Sequence, residues 1–246
     1  MINTIFGILI PFFGTSLGSL MVYFIRTSKS KKTNVILYGL SSGIMLSSSI
    51  WSLIVPSLTS SSGYYFYFPC IIGYIFGVLF LIFIDYVSEK VIKFKINKSN
   101  KMLMAVTIHN IPEGMAVGVM FSSILYVYGN ITLSSAFILS IGIAIQNIPE
   151  GAVVSLPLHN LNNSKNKSFL CGILSGVIEP MFALLTIVFI NKVKFLFSYL
   201  LAFAAGAMIY VVFFELLPEI KDDKKYGISS FVIGFVFMMI LDLFLS

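Results

Sequence analysis

The residues that build most metal and nucleophile sites are scarce in this chain, which has two histidines and two cysteines. Cys70 and Cys171 both fall in apolar stretches, so they outline neither a disulfide framework nor a thiolate metal site, and core packing accounts for them. No HExxH pair is present, which argues against a zinc hydrolase of that type. Charge is scarce too: 11% of the residues are charged and 58% hydrophobic, so an ordinary soluble composition is excluded. The short segments of strict alternation that a membrane β-barrel needs are also missing.

What is present is a series of apolar runs, each roughly 20 residues long, the length that crosses a bilayer as a helix. Eight can be read, at 2–25, 34–58, 65–87, 102–126, 131–158, 169–190, 195–217 and 228–245. The first is longer than an apolar signal core, and its basic residues follow it rather than precede it, so it is expected to stay as a helix. The predicted fold is an all-α polytopic membrane protein with eight transmembrane helices in a single domain, 1–246.

The net charge of +6 would suit a nucleic-acid partner, but its placement says otherwise. Arg26, Lys29, Lys31 and Lys32 follow run one, and Lys90, Lys93, Lys95, Lys98 and Lys101 follow run three. Lys165 and Lys167 follow run five; Lys221, Lys224 and Lys225 follow run seven. The loops after runs two and four hold no Lys or Arg, and the loop after six only Lys192 and Lys194. The positive-inside rule therefore puts the odd loops in the cytoplasm and both termini on the extracytoplasmic side. No nucleic acid is expected; membrane lipids are, anionic ones included.

The polar anomaly is a hexapeptide and its near copy, His109-Asn110-Ile111-Pro112-Glu113-Gly114 and Gln146-Asn147-Ile148-Pro149-Glu150-Gly151, each deep in an apolar run. Glu179, followed by Pro180, and Glu215 are embedded likewise, whereas Asp85 and Asp242 lie near the ends of their runs. A charged residue at mid-membrane costs about 2.5–3.5 kcal/mol. Four embedded carboxylates with no embedded Lys or Arg would cost on the order of 10 kcal/mol, comparable with the net stability of a domain. Protons or bound cations must neutralise them.

Helical spacing favours one shared site. His109 and Glu113 are four apart and share a face, as do Gln146 and Glu150, while Asn110 and Asn147 sit about 100° further round. Pro112 and Pro149 each remove a donor from the helix ladder and are expected to kink it, freeing the carbonyls of Ile108 and Ile145. Gly114 and Gly151 permit a neighbouring helix to come close. The short join between runs four and five makes these helices adjacent and antiparallel, so the motifs meet near one depth. One imidazole, several carboxylates and amide oxygens suit a borderline divalent ion such as Zn²⁺, with Fe²⁺, Mn²⁺ or Cd²⁺ also accepted, without the thiolates of a tight structural site. A lone buried His or Glu is often a packed core residue; a duplicated motif on adjacent spans is not explained that way. A proton-coupled cation carrier, its glutamates serving as proton sites, is the nearest alternative, and an intramembrane zinc hydrolase the remotest. Smaller signals are the serine-rich stretch 41–49, read as close helix packing, and His159, read as interfacial. A small-residue run leading to Gly and Met occurs in both runs two and seven, hinting at an inverted repeat of the first three helices on the last three.

At these residues the chain resembles the ZIP (Zrt/Irt-like) divalent-metal transporters, in particular their prokaryotic GufA-like branch. The resemblance covers the whole chain: eight spans, both termini outside, and the two Asn-x-Pro-Glu-Gly motifs in spans four and five. It implies a ZIP-like bundle in the cytoplasmic (plasma) membrane, acting as a homodimer and moving zinc inward through a binuclear centre between spans four, five and six. It further implies a first metal site of His109, Glu113, Gln146 and Glu150, touched from the outer side by Met45. Asn110, Asn147 and Glu179 complete a second, with Glu113 and Glu150 shared. Ser52, Asp85, Glu215 and Asp242 are pathway candidates by the same resemblance. The metal is cargo, and no cofactor is implied. Gln146 stands where other branches carry histidine, and the histidine-rich loop many relatives have between spans three and four is missing.

Overall fold

The computed structural model describes residues 2–24, 31–60, 65–92, 98–126, 131–160, 163–192 and 194–245. Among them there are helices and turns but no strand. Eight long helical rods follow one another: α1 is Ile2–Phe24 and α2 is Lys31–Ser48, continued through Ser49–Ile54 and Val55–Thr59. Then come α3 at Phe68–Ile92, α4 at Lys98–Tyr126 and α5 at Leu133–Asn160. Rod α6 is Lys165–Gly176 continued by Ile178–Lys192, α7 is Phe197–Val211 continued through Val212–Leu216 and Leu217–Asp223, and α8 is Lys224–Leu245.

Seven of the rods contain stretches long and apolar enough to cross a membrane. Rod α4 is helical over a sufficient length but is outside that set; it carries Lys98, Lys101, His109, Asn110 and Glu113. The outward faces confirm what surrounds the bundle. On α3, Ile75, Phe76, Leu79 and Phe83 are exposed, and on α8 Val232, Ile233, Phe237 and Phe244. A water-soluble fold would bury such side chains; lipid solvates them while the helices satisfy their own backbone.

The expected runs shift at three places, each for a backbone reason. Run two contains a wider, π-helical turn closing with Val55 N–H on the Ile50 carbonyl, and run seven closes a second with Leu217 N–H on the Val212 carbonyl. Each precedes a proline, Pro56 or Pro218, whose missing N–H breaks the ordinary ladder. Run seven also continues to Asp223, so Glu219 and Asp223 lie in a helical end of that rod. Run six is interrupted at Val177, because Pro180 cannot donate to the carbonyl of Gly176. By contrast, helical backbone passes without a break through Pro112 and Pro149. Most of the loop between α4 and α5, and the connection 93–97 between α3 and α4, lie outside the described residues.

Chain neighbours are not the main packing partners. Rod α1 lies along α5, α2 along α8, α3 along α7 and α4 along α6. The close seams are made by glycines whose missing Cβ admits a neighbour's backbone. A Cβ on Gly43 would stand 2.1 Å from the Phe231 carbonyl oxygen, and one on Gly206 2.3 Å from that of Tyr74. In return, Gly234 faces the Leu40 carbonyl and Gly77 that of Phe203. The spacing Leu40–Gly43 on α2 matches Phe203–Gly206 on α7, and Tyr74–Gly77 on α3 matches Phe231–Gly234 on α8. The α2/α8 and α3/α7 seams are thus the same seam in register. Gly151 against the Thr15 carbonyl and Gly114 against the Glu179 carbonyl repeat the pattern between α5/α1 and α4/α6.

The largest apolar core joins Val117, Met120 and Phe121 of α4 to Leu139 and Ile143 of α5 and Leu201 and Ala204 of α7. These positions follow the first motif and precede the second, so the core fills one end of the bundle. The two motifs lie at its inner edge.

Candidate metal centre

Every residue of the two motifs that carries a polar side chain is buried. Glu113, Gln146 and Asn147 have no exposure, Asn110 and Glu179 have 1%, and His109 and Glu150 have 8%. The helical spacing does what the sequence predicts. Gln146 Nε2 on α5 donates to Glu113 Oε1 on α4 at 2.7 Å, so the two motifs meet at one depth. Ser41 of α2 donates to the backbone carbonyl of Gln146 at 3.0 Å, holding this turn of α5 against a third helix.

Glu179 joins from α6. Asn110 Nδ2 donates to its Oε1 at 2.9 Å and also to the Ser175 carbonyl at 2.9 Å. Thr15 of α1 donates to the same Oε1 at 2.8 Å. Asn147 lies beside Glu113 and Glu179 without a well-formed hydrogen bond to either. Glu150 stands within electrostatic reach of Glu113, Glu179 and Glu215. His109 Nε2 meets Glu215 Oε1, carried inward by the π-helical turn of α7.

The polar atoms left over are informative. Among the described residues, Asn110 Oδ1, Glu113 Oε2, Gln146 Oε1, both amide atoms of Asn147, Glu150 Oε1 and Glu179 Oε2 are buried without a partner. An unsatisfied buried polar group costs about 1–3 kcal/mol, and all of these atoms except Asn147 Nδ2 are acceptors, the kind of atom a cation satisfies. Glu113, Glu179 and Glu215 are each held by amide, hydroxyl or imidazole groups, and no three His, Cys, Asp or Glu side chains of the described residues close around one point.

The remaining candidates make other contacts. Ser52 donates to Asp242, both buried, joining the π-helical turn of α2 to α8. Tyr210 of α7 donates to Asp85 of α3 at 2.7 Å. Met45 is 1% exposed within the apolar core, its carbonyl taking the Ser48 and Ser49 hydroxyls; its side chain makes no polar link to the carboxylates. The neighbouring serines are buried packing residues, as expected. His159 Nδ1 contacts the Asn163 carbonyl at 2.8 Å at the far end of α5. Thr15 and Tyr210 were not foreseen from sequence. Thr15 is one of several small residues on α1, and nothing local marks it.

A family model described as ZIP Zinc transporter matches residues 98–242, from α4 through most of α8. The chain belongs to the ZIP zinc transporter family. Among its relatives, the zinc transporter ZIP11 of Xenopus tropicalis is 39% identical over 143 residues, 57% of this chain and 42% of that protein. The chain thus spans under half the length of its ZIP11 relatives. The zinc transporter ZIPB of Bordetella bronchiseptica is 29% identical over 247 residues, covering 94% of this chain and 77% of its own. Zinc transporter GufA of Myxococcus xanthus is 31% identical over 62% of this chain and 58% of its own. With its family and its apolar helices together, this ZIP protein is a multi-pass integral membrane protein.

Proposed function

We propose that this ZIP protein carries divalent metal into the cytoplasm, zinc first, with Cd²⁺, Fe²⁺ or Mn²⁺ as further cargo. The observation that carries the reading is the set of unpartnered acceptor atoms from α4, α5 and α6, buried around three carboxylates with no Lys or Arg among them. A cation satisfies these atoms together and offsets the cost of burying the charges. The centre is binuclear: His109, Glu113, Gln146 and Glu150 hold one ion, Asn110, Asn147 and Glu179 complete the second, and Glu113 and Glu150 bridge. Met45 approaches the first ion from the outer side. Ser52, Asp85, Glu215 and Asp242 line the route.

Oxygen and one imidazole, rather than thiolates, bind firmly enough to select and loosely enough to release. The relatives named above, all zinc transporters, support zinc as cargo and set the hydrolase reading aside. The basic loops after odd-numbered rods support eight spans with both termini outside the cytoplasm, in the plasma membrane. The matched seams support an inverted repeat of α1–α3 on α6–α8. The working unit is a homodimer.

Proteoliposomes loaded with a metal-sensitive dye test the function directly. Zinc or cadmium influx is expected in the wild type and should vanish in His109→Ala and in Glu113→Ala. Unchanged flux in both variants would sink the assignment.

A further inference from the structure

Thr15 is outside both motifs, on a helix that the ligand argument does not use, yet it reaches the centre. It is 1% exposed. Its hydroxyl carries one proton and has two acceptors in range, Glu179 Oε1 at 2.8 Å and the Pro11 carbonyl at 3.5 Å. The shorter contact to a carboxylate wins, since a hydrogen bond to a charged acceptor is the stronger kind. Two helices press closely on this residue: Gly151 of α5 lies against its carbonyl and Gly176 of α6 against its Cβ, leaving no room for a methyl group on either glycine.

The outcome is an asymmetric Glu179. Oε1 accepts from both Thr15 and Asn110, while Oε2 is buried without a partner. A carboxylate with one oxygen doubly engaged offers only the other to a metal, and so binds it through a single oxygen. One-oxygen coordination suits small four-coordinate Zn²⁺; ions that take six or more oxygens, Mn²⁺ among them, gain more from a carboxylate that can chelate. The matched seams make the arrangement intelligible. Thr15 on α1 packs on Gly151 as Glu179 on α6 packs on Gly114, so the hydroxyl occupies in one half of the molecule the place the carboxylate occupies in the other.

We propose that Thr15 is a positioning and selectivity residue, holding Glu179 to single-oxygen binding and so favouring zinc over ions of higher coordination number. This rests on the transport reading above. The test is zinc influx into dye-loaded proteoliposomes, with the Mn²⁺ concentration that halves it as the decisive readout. Thr15→Val removes the hydroxyl at nearly constant volume. It is expected to lower the half-inhibiting Mn²⁺ concentration about fivefold, the effect of losing one hydrogen bond of ordinary strength. Thr15→Ser, which keeps the hydroxyl, should stay within about twofold of wild type. If Thr15→Val fails to fold, the smaller Thr15→Ala has the same expected outcome. Manganese inhibition unchanged in the variant lacking the hydroxyl overturns the proposal, whatever happens to the zinc rate, because a merely structural role slows transport without altering discrimination. A wild type that moves no zinc, in the same vesicles, would instead overturn the transport reading.

Discussion

Gln146 shows how one side chain can set the character of a charged site. Its amide donates to Glu113 and leaves its own Oε1 unpartnered, so it both steadies a carboxylate and offers a neutral, hard donor. An imidazole in its place would supply a borderline nitrogen, which zinc prefers to oxygen more than manganese does. Gln146→His is therefore expected to raise zinc preference over manganese by roughly tenfold, the equivalent of about 1.4 kcal/mol. Competition curves in proteoliposomes measure it, and coincident curves for the two proteins would remove Gln146 from the ligand set. Glu215, embedded in its run, reaches the centre by another route. Only the π-helical turn brings it to His109, joining α7 to the centre.

The helices reveal why so many glycines are spent in membrane spans. Van der Waals packing, rather than the hydrophobic effect, holds helices together in lipid, so backbone must approach backbone. Gly18 of α1 meets α5 in this way, an added Cβ standing 2.0 Å from the Ile148 carbonyl oxygen, one residue from the second motif's proline. Gly142, on the same α5, meets only the tip of Met238, at 2.5 Å from its Cε. Backbone cannot yield as a flexible thioether can. Gly18→Ala should cost about 1–3 kcal/mol of overpacking, lowering Tm by several degrees at roughly 2–4 °C per kcal/mol. Gly142→Ala should melt close to wild type. Equal melting of both variants in detergent would show that the α1/α5 seam is not the tight contact described.

At the scale of the whole molecule, the unequal distribution of basic loops and the matched seams make separate statements about the fold. The loops bear on its orientation in the membrane and the seams on the likeness of its two halves. If the odd loops are cytoplasmic, an epitope placed after Ser246 is labelled by antibody on intact cells, whereas one inserted beside Lys165 is labelled only after permeabilisation. Labelling of the Lys165 site on intact cells would reverse the orientation and, with it, the inward direction of transport. The central pair α4 and α5 sits between the halves, and each packs chiefly on a helix from a different half, α4 on α6 and α5 on α1. On the transport reading proposed above, a centre at that junction would join the central pair to α6.

The sequence by itself determined the membrane class, the approximate helical runs, and the duplicated motif with its facing His109, Glu113, Gln146 and Glu150. These depend on composition, hydrophobic length and the turn of a single helix, all of them local. It also implied that the two motifs meet, because a short join forces neighbours together. Tertiary structure alone decided which distant helices supply the remaining partners: Thr15 and Asn110 for Glu179, Glu215 for His109, Ser41 for the Gln146 carbonyl, Tyr210 for Asp85. It also placed the π-helical turns ahead of Pro56 and Pro218 and the interruption at Val177, where a missing donor has several possible repairs and packing selects one. A hydroxyl among small residues has no periodicity to betray it. Thr15 acquires meaning only when Gly151 and Gly176 press α1 against α5 and α6 and leave its proton one acceptor at close range.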